Sequence, residues 1–174
     1  PLQSLWANNT VHLLGGVINS AGTTVSNGTT FTVGDGTQFA QFNAVSGAHF
    51  FSNGVNTALL ISSNAWLTGL GTITAANGIV LTNGGHLSAG LATNGIGILT
   101  LNTVNGQNGA IIDVQISSLL GSAGLSWDLL NVNGTITNNT SGGINTNFLI
   151  RMDSMGQTLA YSPTAGYSLR IATF

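Results

Sequence analysis

Residues 104–116 read VNGQNGAIIDVQI, and the choice of fold turns on how they are parsed. Asn105-Gly106 and Asn108-Gly109 supply the positive φ that tight turns demand. Directly after them Ile112, Val114 and Ile116 alternate with Asp113 and Gln115, the period-two pattern of a half-buried strand. The same grammar runs in both directions. Asn27-Gly28, Asp35-Gly36, Asn53-Gly54, Asn77-Gly78, Asn83-Gly84-Gly85, Asn94-Gly95 and Asn133-Gly134 punctuate short apolar runs such as Leu99/Leu101, Phe148/Ile150/Met152 and Leu169/Ile171. With 25 Gly in 174 residues, no window is left long enough for an amphipathic helix. The chain is predicted to be all-β.

Composition selects among all-β folds. Only 3% of residues are charged, with no Glu or Lys, four Asp and two Arg, while the apolar fraction of 43% is ordinary. A core can form, but the surface must be built from Gly, Asn, Thr and Ser. Stacked coils place like residues above one another, where like charges repel and Asn or Thr ladders bond. A β-sandwich, the alternative, has no comparable reason to shed its charges. Thr30/Thr32, Thr72/Thr74 and Thr135/Thr137 lie 42 and then 63 positions apart, both multiples of 21. That spacing suits one coil of a three-faced solenoid. The expectation is a single parallel β-solenoid domain over residues 1–174 with coils of roughly 20 residues. Residues 1–10, with the strand-like Leu2–Trp6, form an N-terminal extension expected to pair with a neighbouring subunit.

Strand parity places the acids. Asp113 is opposite in parity to Ile112 and Val114, and Arg151 and Asp153 to Ile150 and Met152, so these charges, like Arg170, are expected to be solvated. Asp128 differs, sharing parity with Leu130 and Val132 at the entry to its strand. There a carboxylate is expected to accept backbone N–H groups of its own turn.

The segments Asn83-Gly84-Gly85-His86-Leu87-Ser88-Ala89-Gly90, Gly97-Ile98-Leu99-Thr100-Leu101 and Asp128-Leu129-Leu130-Asn131-Val132-Asn133-Gly134-Thr135-Ile136 resemble the autotransporter-associated β-strand repeat of bacterial surface proteins. Ala89 stands where that pattern usually has Pro. The likeness covers residues 65 to 150 best. It implies a right-handed β-solenoid exported to the cell surface with structural or adhesive roles, no catalytic set, and a turn signature at Asp128.

Site chemistry is sparse. Net charge is −2, so there is no basic face for nucleic acid. No apolar run is long enough for a transmembrane helix. Absence of Cys excludes disulfides and thiolate metal sites. Asp113, Asp128 and Asp153 fall in separate strands without Lys, a poor match to a glycosidase pair. His12, His49 and His86 lack neighbouring acids in sequence and read as surface or turn residues. Gly34-Asp35-Gly36 reads as an ordinary turn rather than a calcium loop. Phe39, Phe42, Phe50 and Phe51 read as core, as do Trp6, Trp66 and Trp127, with a sugar-binding groove as the alternative. No catalytic, cofactor-binding or metal-binding residues and no cofactors are assigned. The expected function is a structural, non-enzymatic subunit of an extracellular filament or surface layer, partnered by copies of itself. A surface- or glycan-binding adhesin fragment is the alternative, with an ice-binding or polysaccharide-active solenoid behind it.

Overall fold

The computed structural model describes residues 5–7, 11–26, 28–52, 57–91, 95–138, 148–159 and 168–174, and among them there is no helix. Its strands come in threes. The first coil carries β1 (Leu5–Ala7), β2 (His12–Leu13) and β3 (Gly16–Ser20); the second carries β4 (Thr23–Ser26), β5 (Phe31–Val33) and β6 (Ala40–Ala44). The third has β7 (Ala48–Ser52), β8 (Leu59–Ile61) and β9 (Ala65–Gly69); the fourth has β10 (Thr72–Ala75), β11 (Ile79–Leu81) and β12 (His86–Ala89). The fifth has β13 (Ile98–Leu101), β14 (Val104–Gly106) and β15 (Ile111–Gln115). The sixth has β16 (Leu129–Val132), β17 (Ile136–Asn138) and β18 (Leu149–Asp153), and β19 (Ala172–Thr173) follows.

Every third strand pairs in parallel, giving one sheet of seven strands from β1 to β19 and two of six, from β2 to β17 and from β3 to β18. The chain is a parallel β-solenoid. Register is kept by stacking rather than by constant coil length. Leu67 lies against Leu87, 20 positions on, whereas Ile112 lies against Ile150, 38 positions on. Loops between the strands absorb the difference, since longer surface loops carry only a slowly growing entropic penalty. The 21-residue Thr spacing is therefore not the coil repeat. Thr32 belongs to the sheet of β2 and stacks on Leu60, whereas Thr72 and Thr74 belong to the sheet of β1 and stack on Ala48 and Phe50.

The core runs along the axis. Phe31, Phe42 and Phe51, one from each sheet, meet at its centre with ring centroids 5.3 to 5.8 Å apart in tilted and edge-to-face contact. Such pairs add to the burial of their large apolar area. Above them Leu59, Ile61, Leu67, Ile73, Leu81, Leu87, Leu99 and Leu101 fill successive layers. Phe39 and Phe50 are half-exposed and Trp66 lies partly exposed on the outer face of β9, which corrects the core expectation for these three. Phe50 lies between inward-facing His49 and Phe51 and so points outward. Trp127 is buried and its indole N–H donates to the Arg170 carbonyl at 2.9 Å.

His49 is not a surface histidine. It is buried in the core edge-on to Phe42, with Nδ1 3.0 Å from the Thr23 hydroxyl and Nε2 2.9 Å from the Ser46 carbonyl. Two polar partners make burial of the neutral ring tolerable. Burial holds its pKa below the ordinary histidine value.

Candidate functional site

The outward side of the β3–β18 sheet carries two columns of stacked residues. One runs Val17, Gln41, Trp66, His86, Ile111, Leu149; the other runs Asn19, Asn43, Thr68, Ser88, Asp113, Arg151. The second column is a polar ladder. Asn43 donates to the Asn19 side-chain oxygen at 2.5 Å, and its own oxygen accepts from Gln41 at 2.7 Å and from the Thr68 hydroxyl. Gln41, Asn43 and Thr68 are buried by their neighbours above and below, while Asn19 at the end of the column is exposed, and mutual hydrogen bonding offsets the desolvation.

At its far end the ladder becomes charged. Asp113, expected to be solvated, is buried, and its Oδ2 lies 2.7 Å from His86 Nδ1. Its Oδ1 lies 2.5 Å from Arg151 Nε, in an ionic contact without hydrogen-bond alignment. His86 therefore does have a neighbouring acid, 27 residues away and one coil up. Its ring stacks on Trp66 at 4.0 Å and 7°, and the Arg151 guanidinium lies 5.2 Å from the Trp66 ring centre. Arg151 itself is 55% exposed along its side chain. A histidine oriented by a carboxylate resembles half of a nucleophilic site. The Ser88 hydroxyl does not supply the other half, for it turns to the Ala89 carbonyl at 3.0 Å and to Asp128 at 3.4 Å.

Asp128 is the second buried acid. Its Oδ1 accepts from Gly97 N–H at 3.0 Å and its Oδ2 from Gln115 N–H at 2.9 Å. It does anchor backbone, but the donors come from the coil below rather than from its own turn, so the local turn expectation is corrected to a coil-to-coil brace. Burial pushes its pKa up to about 6, against the pull of the Gln115 and Gly97 N–H groups and the Ser88 hydroxyl. Asp35, by contrast, is an exposed turn anchor. Its Oδ1 accepts from the Thr37 hydroxyl and N–H and from Gln38 N–H, which hold its pKa near 2. Those bonds account for Gly34-Asp35-Gly36 as a turn. His12 is exposed on β2. Asp153 is exposed and caps the following turn through Met155 N–H at 2.8 Å.

The two ends of the solenoid form the other candidate surface. In β18, Ile150 and Met152 stack on Ile112 and Val114 and face the same way. Yet they are 54% and 55% exposed, while Ile112 and Val114 are 6% and 2%. Sequence parity placed Ile150 and Met152 in the core, and the direction is right. They are exposed because, among the described residues, no strand follows β18 in its sheet. At the opposite end the inward-facing Ile18 is only partly buried, and Leu14 and the outward-facing Val17 are half-exposed. Leu5–Ala7 pairs with β4 of its own chain, among the described residues no other strand pairs with it, and residues 1–4 and 8–10 lie outside the described set.

These features define a parallel β-solenoid in which, among the described residues, no strand covers the terminal strands of each sheet, with a charged ladder terminus on one lateral face. No protein-family model, curated protein or solved structure matches the chain.

Proposed function

We propose that the protein is a structural, non-enzymatic subunit of an extracellular filament or surface layer, stacking head to tail through the open edges of its sheets. The observation that carries this reading is the exposure of Ile150 and Met152 above the buried Ile112 and Val114. Apolar side chains aligned with the core, on an unpaired edge, are a template for another strand, and soluble proteins usually blunt such edges with charge or Pro. Because all three sheets are parallel, the two ends are not self-complementary. Joining them makes a heterologous, non-closing contact that propagates as a fibre. Export to the cell surface is supported by the resemblance of residues 83–101 and 128–136 to the surface-protein repeat. Negative-stain microscopy and sedimentation velocity test the reading: thin unbranched filaments are expected, and a monomer at high concentration overturns it.

A second reading, an adhesin module that binds surface glycans, draws on Arg151 standing half-exposed beside Trp66 on the outer face of the β3–β18 sheet. A glycan array probed with the native chain and with Arg151→Ala tests it, binding lost in the variant being the supporting result.

A further inference from the structure

We infer that the outer face around Arg151 takes a neutral sugar, whose adjacent hydroxyls are held between the Arg151 guanidinium and the His86 imidazole. This rests on the adhesin reading above and narrows it by assigning the class of glycan and the groups that recognise it.

One buried carboxylate sets both contacts. Asp113 Oδ2 lies 2.7 Å from His86 Nδ1 and Oδ1 lies 2.5 Å from Arg151 Nε, so the imidazole and the guanidinium stand side by side on the same acid. A carboxylate only accepts, which assigns the ring proton to Nδ1 and leaves Nε2 as the acceptor of the neutral imidazole. Stacking on Trp66 fixes the plane of that ring. Among the described residues neither Nε2 nor the terminal nitrogens of Arg151 have a hydrogen-bond partner, and the arginine side chain is 55% exposed while that of His86 keeps 12%. A fork of donors beside one acceptor matches a pair of neighbouring hydroxyls. One hydroxyl accepts from the guanidinium and donates to Nε2, and the other accepts a second guanidinium N–H.

Charge decides against an acidic sugar. Three of the four acids of the chain stand at this sheet: Asp113 against Arg151, Asp153 two positions on along β18 and exposed on the same face, and Asp128, which accepts the Gln115 N–H. Of the two arginines only Arg151 faces them, because Arg170 lies on the segment that leads into β19 of another sheet. The charge of Arg151 is already matched by Asp113. An incoming carboxylate or sulfate would add a further negative charge with no free cation to meet it, whereas a hydroxyl brings its hydrogen bonds without that penalty.

The test applies the native chain at pH 7 to an array of neutral hexose trisaccharides printed beside the same trisaccharides carrying a carboxylate or a sulfate. Capture is expected on neutral members, with the acidic counterpart of each hit at least about tenfold weaker and the neutral signal changing less than about twofold between 0.05 and 0.5 M salt. Arg151→Lys keeps a cation beside Asp113 but loses the fork, and is expected to weaken binding about tenfold. Arg170→Lys, checked like it for native β circular dichroism, is expected to bind as the native chain does. Acidic members captured as well as neutral ones overturn the neutral class, and binding that survives Arg151→Lys in full overturns the site, both leaving the adhesin reading intact. Capture of no glycan by the native chain overturns that reading and this one together.

Discussion

Asp128 and Gln115 exchange a pair of hydrogen bonds across adjacent coils: Asp128 N–H donates to the Gln115 carbonyl at 3.0 Å, and the Asp128 carboxylate accepts the Gln115 N–H at 2.9 Å. The side chain thus completes a ladder step where the backbone has left the strand. With Gly97 N–H on its other oxygen, the carboxylate uses both acceptors. Asn offers only one oxygen and turns an amide N–H toward a donor. Asp128→Asn is therefore expected to lose about 1–2 kcal/mol, and Asp128→Leu, which leaves both N–H groups unpaired, about 2–4 kcal/mol. Urea midpoints at pH 7 distinguish the two. Equal losses in both variants would rule out the brace.

The same buried acid makes stability depend on pH. Its pKa rises from 3.8 to about 6 on folding, so between those values the folded state binds the extra proton. The contribution is fully present below pH 3.8 and disappears as pH rises through 6, on the order of 3 kcal/mol in total. The stability of the native chain minus that of Asp128→Asn should accordingly shrink from pH 4 to pH 7. A difference that grows with pH contradicts the assignment.

His49 works in the opposite direction. Its folded pKa is held below 6.5, so the unfolded chain takes up the proton first, and the stabilising contribution present above pH 6.5 is lost as pH falls. His49→Met lacks that titration. Between pH 7 and pH 5 the melting temperature of the native chain, relative to that of His49→Met, is expected to fall. No change in the difference across this range would show that the imidazole does not titrate with folding.

The fold was legible because Asn-Gly turns and period-two runs are local signals, and local signals survive variable loop length. The coil repeat was not legible, because loops of different length separate strands that remain in register, as Leu67–Leu87 and Ile112–Ile150 illustrate. Parity correctly turned Asp113 away from the core but equated outward with solvated. In a stacked ladder the neighbours above and below do the shielding, which is why Thr68, Ser88 and Asp113 are buried on the outer face. The His86–Asp113 contact spans 27 residues and becomes visible only once the register is known. Asp128 was recognised as a backbone acceptor from its parity, while its donors lay in another coil.

Phe39 and Phe42 separate the two meanings of an aromatic here. Phe42 is buried against Phe31, Phe51 and His49, whereas Phe39 is half-exposed. Phe42→Ala is expected to cost about 3–5 kcal/mol through lost burial and a residual cavity. Phe39→Ala should stay within about 0.5 kcal/mol. Denaturant midpoints with unchanged m-values check both. A large loss in Phe39→Ala would mean that its face packs against something in solution.

Charging the end face tests assembly separately from folding. Ile150 and Met152 are more than half exposed, so lysines there can keep their ammonium groups in water and leave the underlying Ile112 and Val114 layer intact. In a stacked pair the same lysines would be desolvated against the apolar layer of the incoming coil, a penalty that edge strands commonly exploit to prevent pairing. Ile150→Lys/Met152→Lys is therefore expected to sediment as a monomer, with a melting temperature within a few degrees of the unassembled native chain. Native filaments, held by backbone ladders and apolar contact, should change little between 0.05 and 0.5 M salt, where a charge-driven polymer would dissolve as screening shortens. If the double lysine variant assembles as readily as the native chain, the β18 end face is not the contact.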